Sequence, residues 1–169
     1  MASPIREGAS RPPRTTLIGH AGFVSSVAYL SSAAEVVSGS GDCTLRLWDA
    51  GGSGSLSALR TLRGHVNERN FVGLSVRATP CGGDLVACGS ENNAAYVYDS
   101  ALSRPLATHR FDASCPLTGS VVESALPSSV TQSATEAAPF VSSVAWAPGE
   151  RSVLVAANSL GNLRVLRLC

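Results

Sequence analysis

A Gly-His pair at Gly19-His20 returns as Gly64-His65, 45 residues further along the chain. An interval of that size marks a repeat architecture, in which each unit buries its apolar surface only against its neighbours. The residues after each pair fit such a unit. Residues 24–30, 35–40 and 44–49 are short apolar runs separated by small residues and by the turn Gly41-Asp42; Leu45 and Leu47 alternate with Thr44 and Arg46. Runs of this length and alternation predict β-strands, with a fourth over 57–62. A second unit predicts strands at 71–76, 85–90, 95–99 and 104–111, its first connection widened by the turn cluster 79–84. A third predicts strands at 141–146, 153–157 and 163–168, and residues 15–18 are expected to form a leading strand. No segment presents a helical face of useful length, so the expected class is all-β.

The spacing of polar residues inside the first unit adds a chemical reason for the repeat. Gly-His, followed by Asp42 in a turn and by Trp48-Asp49 at the end of a strand, resembles the WD40 repeat of β-propellers. In such a blade a histidine, a turn aspartate, a strand hydroxyl and a tryptophan can form one hydrogen-bonded network. Here these would be His20, Asp42, Ser38 or Ser40, and Trp48. The second unit keeps His65 but has Asn92 at the aspartate position and Tyr98 at the tryptophan position. The third lacks the Gly-His pair and has Leu160 and Leu166 at the two matching places. The expected architecture is a partial WD40 β-propeller, about three of seven four-stranded blades. Propellers commonly need about four to eight blades to close, so three units are expected to be the C-terminal part of a larger ring. The organisation expected is a disordered lead-in over 1–14, two blades plus the leading strand over 15–111, a flexible insertion over 112–139, and a final partial blade over 140–169. The insertion is rich in Ser, Ala and Thr, without sustained period.

A narrower resemblance begins at Gly64. The run Gly64-His65-Val66-Asn67-Glu68-Arg69-Asn70-Phe71-Val72-Gly73-Leu74 is similar to the propeller of the constitutive photomorphogenesis (COP1-type) E3 ubiquitin ligases and their SPA and RUP relatives. Ala87-Cys88-Gly89-Ser90-Glu91, Tyr96-Val97-Tyr98, Ser103-Arg104-Pro105, His109-Arg110-Phe111, Val144-Ala145-Trp146 and the run 156–166 continue it in the same order. The resemblance implies a non-catalytic interaction module that recruits Val-Pro-type peptide motifs of substrates or regulators for ubiquitination. A RUP-type signalling scaffold without a ligase role is the alternative. Implied partners are transcription factors and photoreceptors carrying such motifs, together with ubiquitin ligase subunits, in the nucleus and cytoplasm. Phe71 matches an aromatic of the family's peptide pocket, and Arg69 falls where the family usually has lysine. An aromatic platform suits proline, and arginine suits the acids that accompany such peptides.

Other classes are disfavoured by composition and motif. All thirteen basic residues are arginine, against twelve acids, for a formal net charge of +1. That leaves no cationic field for nucleic acid. No apolar stretch approaches the roughly 20 residues of a membrane helix. Five cysteines without a CxxC pair fit a reducing compartment and argue against a disulfide framework or structural zinc. The Cys and His are too few for a RING, and G-x-S-x-G, P-loop and H-E-x-x-H signatures are absent. Catalytic residues, metal ligands and cofactors are therefore expected to be none. Asp49 runs into Ala50-Gly51, so the Trp-Asp-x-Arg form linked to cullin adaptors is missing.

Overall fold

The computed structural model describes residues 16–51, 57–111, 138–149 and 152–168. These residues form eleven β-strands and no helix. Strands β1 (Val24–Tyr29), β2 (Glu35–Ser40), β3 (Thr44–Asp49) and β4 (Arg60–Arg63) make one antiparallel sheet in chain order. Strands β5 (Leu74–Ala78), β6 (Asp84–Cys88), β7 (Ala94–Asp99) and β8 (Ala107–Arg110) make a second with the same order. Strands β9 (Val141–Trp146), β10 (Val153–Asn158) and β11 (Leu163–Arg167) make a three-stranded third. The first strands of the sheets pack in sequence, β1 against β5 and β5 against β9. This is the arrangement of successive propeller blades, three of them among the described residues. Residues 16–18 join no ladder, so the leading strand expected over 15–18 is not among the eleven. Residues 1–14 and nearly all of the 112–139 insertion lie outside the described residues.

Period-two alternation explains how the middle blade is buried on both faces. On β7, Ala94, Tyr96 and Tyr98 join Val37, Leu45, Leu47 and Leu62 of the first blade in one apolar cluster. The alternate residues Ala95 and Val97 turn the other way, onto Val141, Val144, Leu154 and Ala156 of the third. On β6, Val86 and Cys88 face the first blade and Ala87 the third. Each core thus exists only between sheets, as a repeat fold requires. Close contact also fixes composition: a Cβ on Gly89, at the end of β6, would collide with the Val141 carbonyl of the next blade.

The register aligns the three units residue by residue. Val36 lies opposite Trp48, Val86 opposite Tyr98, and Leu154 opposite Leu166. Cys43, Asn93 and Gly161 then occupy one shared position in the turn between the second and third strands, with φ of 60°, 55° and 81°. That left-handed conformation is natural for Gly and Asn. Cys43 adopts it while its sulfur bridges to the next blade, within 3.3 Å of the Asn67 amide nitrogen.

Candidate functional site

The up-down order of the strands gathers the chain segments before β1, β5 and β9, and the β2–β3, β6–β7 and β10–β11 turns, at one end of the blades. At that end the first blade holds its polar network. His20 Nδ1 lies 2.9 Å from Asp42 Oδ2, and its Nε2 lies 2.7 Å from Ser38 Oγ. The carboxylate accepts only, so Nδ1 carries the proton. Nε2 then accepts from Ser38, whose oxygen accepts the Trp48 indole N–H at 2.7 Å. Asp42 also accepts the Thr44 hydroxyl at 2.6 Å, the Thr44 amide at 3.1 Å and the Ala21 amide at 3.0 Å. Burial works against the Asp42 charge, but the Thr44 hydroxyl, the Ala21 N–H and His20 outweigh it and hold its pKa well below the usual carboxylate range. Ser38 is therefore the network hydroxyl. Ser40, two residues on, instead accepts the Asp42 amide and shapes the turn.

The second blade solves the same position differently. Cys88 stands where Ser38 stands, so no hydroxyl is offered there. The Tyr98 hydroxyl reaches His65 directly, 3.0 Å from Nδ1 and 3.2 Å from the His65 amide nitrogen. The Tyr98 oxygen accepts that amide and shares a second hydrogen bond with Nδ1, so one hydroxyl ties both the backbone and the ring of His65. Among the described residues Nε2 of His65 has no hydrogen-bond partner, and the residue is 3% exposed. Burial pushes its pKa down to about 4, against a weaker upward pull from Asp42. Asn92 turns away from His65 and donates to the Tyr96 hydroxyl at 2.7 Å. Replacing Tyr98 by Phe is expected to lower stability by about 1–2 kcal/mol, since the His65 ring then keeps no partner. Urea denaturation measures this, and an unchanged midpoint would show that the hydroxyl adds nothing.

Beside these networks the same end carries an exposed aromatic pair. Phe71 is 72% exposed, and its ring meets that of Phe23 edge-on at 5.5 Å between centroids. Arg69 is exposed two residues earlier. The segment was expected to be a strand from residue 71, yet β5 begins at Leu74. The backbone on either side of Phe71 is held elsewhere. Glu91 Oε1 accepts the amides of Glu68, Arg69 and Asn70 at 2.9, 2.6 and 2.7 Å. Gly73 donates to the Ser142 carbonyl of the third blade. Gly73 thus spends its amide on the third blade, Glu91 fixes the backbone just before residue 71, and the intervening segment is a loop with Phe71 exposed.

Comparison with known proteins fits this geometry. Residues 11–49 match the family WD domain, G-beta repeat. Over 92% of its length the chain is 38% identical to Protein SPA1-RELATED 3 of Arabidopsis thaliana, covering 17% of that protein. Over 94% it is 39% identical to E3 ubiquitin-protein ligase COP1 of Pisum sativum, covering 20%. Over 90% it is 37% identical to WD repeat-containing protein RUP2 of Arabidopsis thaliana, covering 36%. The chain carries WD40 repeats of the COP1/SPA/RUP type. It spans about a fifth or less of the first two relatives and about a third of the last.

As a WD40 protein-interaction module, the chain contributes a rigid surface more than a reactive centre. Among the described residues no group of His, Cys, Asp and Glu is placed to hold a metal, and no helix is long and apolar enough to cross a membrane. A groove of about 550 Å³ opens between the second and third WD40 blades, lined mainly by Ala95, Val97, Leu106, Leu154 and Leu166. Its lining comes from β7 and β8 of the second blade and β10 and β11 of the third. Of the residues expected in the site, His20, Ser38, Asp42 and Trp48 come together in one blade. His65 belongs to the neighbouring blade, and Phe71 and Arg69 to the loop above it. Sequence reading missed Thr44, Phe23 and Glu91. Only Thr44 had a local signal, two residues after Asp42 at the start of a strand, where its hydroxyl can reach back over the turn.

Proposed function

We propose that this WD40 module recruits short acidic Val-Pro-type peptides of substrates or regulators, through a surface that includes Phe71 and Arg69, for ubiquitination carried out by a ligase of the COP1 type. The observation that carries the reading is Phe71: a large aromatic held 72% exposed on a loop whose amides are already satisfied. An exposed phenyl face is a favourable platform for a proline ring, and exposed Arg69, two residues earlier in the chain, suits a neighbouring acid. Phe23 supports the platform from the first blade, so a bound peptide would cross the seam between blades.

Calorimetry with a synthetic acidic Val-Pro peptide on the full chain tests this. Phe71→Ala is expected to weaken binding by roughly 30-fold, the loss typical of a central aromatic anchor. Equal affinity for the two proteins would sink the assignment of Phe71. The likeness to RUP2 supports a second reading, a scaffold that uses the same surface without a ligase role. Ubiquitination of a peptide-bearing substrate by a COP1-type ligase, with and without the chain, separates the two.

A further inference from the structure

We infer that Glu91 is a positioning residue for the peptide surface, fixing the loop that presents Arg69 and Phe71; this rests on the peptide-binding reading above. Three consecutive amides, those of Glu68, Arg69 and Asn70, converge on a single carboxylate oxygen at 2.6–2.9 Å. A charged acceptor makes each of these stronger than an amide–carbonyl bond. The donors resist loss of the charge: burial raises the Glu91 pKa, but the backbone N–H groups of Arg69, Asn70 and Glu68 hold it below its ordinary value. The Glu91 amide is itself tied to the Val66 carbonyl at 2.9 Å, so the clamp is anchored at both ends.

The rest of the loop shows why this one side chain matters for Phe71. Val66 is held by Ser90, Asn67 by Cys43, and Gly73 by Ser142, all outside the stretch 68–70. Between those anchors, Glu91 alone among the described residues holds the backbone that leads into Phe71. The contacts lie at the surface, so their loss frees amides to water and leaves the blade cores intact. Glu91 therefore acts on the direction and order of Phe71 and Arg69, without itself touching the peptide.

Binding of the acidic Val-Pro peptide and hydrogen exchange, both on the full chain, test this. Glu91→Ala is expected to weaken the peptide about tenfold at an unchanged melting temperature, because an unordered loop must be fixed on binding. Glu91→Gln, which keeps an oxygen in place, is expected to recover most of that loss. Full affinity in Glu91→Ala, alongside lost affinity in Phe71→Ala, would overturn the positioning role and leave the peptide reading standing. If the unaltered chain does not bind the peptide, the peptide reading fails, and exchange at amides 68–70 decides the remainder. Faster exchange there in Glu91→Ala, with β2 and β7 amides unchanged, supports the clamp; unchanged exchange overturns it.

Discussion

Replacing Asp42 by Ala is expected to destabilise the chain by about 2–3 kcal/mol, the cost of stripping a charged acceptor from several donors at once, most of them part-buried. The carboxylate accepts from His20, Thr44 and Ala21, and Arg46 lies 3.7 Å away as a further cation. Without it the His20 ring loses the partner that sets its tautomer. The relay through Ser38 to Trp48 then loses its direction. Asp42→Asn keeps one oxygen and should cost roughly half as much. Urea denaturation of the three proteins gives the order; a change below about 0.5 kcal/mol for Asp42→Ala would show that the network is not coupled. Because its pKa is depressed in the folded chain, Asp42 adds stability above its ordinary value of 3.8 and loses it as pH falls further.

A second, separate loss is expected at milder acidity, from His65. Its folded pKa of about 4 lies below the ordinary 6.5, so the unfolded chain binds the proton first. Stability from this group is complete above pH 6.5 and declines as pH falls through the window down to about 4. The slope is about 1.4 kcal/mol per pH unit, and the sum roughly 3 kcal/mol. Denaturation midpoints between pH 7 and 4 measure it. His65→Gln is expected to flatten that slope while leaving the acid limb from Asp42 in place. A slope that persists unchanged in His65→Gln would assign the effect elsewhere.

Legibility in the sequence followed the range of the forces involved. Glu35–Ser40, Thr44–Asp49 and Val141–Trp146 form strands over the residues that alternation predicted, because a strand's pattern is written in its own side chains. The tetrad partners His20, Asp42 and Trp48 were legible from spacing within one repeat. The choice of Ser38 over Ser40 was not. Both serines share a face, and only the register that sets Val36 opposite Trp48 places Ser38 between the indole and the imidazole. The strand predicted from residue 71 failed because Phe71-Val72 reads as a strand start on hydropathy alone. Within that stretch the Gly73 amide goes instead to the Ser142 carbonyl of the third blade, a contact far away in sequence that hydropathy does not register.

The recurrence of Gly-His, the alternating strands and the decaying Asp-Trp pattern determined an all-β repeat fold of the WD40 type, since each is a local pattern that a blade converts into local structure. Composition fixed a near-neutral, lysine-free surface. Only the tertiary structure decided which face of the middle blade meets which neighbour, which nitrogen of His20 carries the proton, and that Phe71 stands outward beside Phe23. Those outcomes depend on contacts between residues tens of positions apart, where cross-blade packing and the desolvation of single polar atoms prevail over any preference readable from the chain.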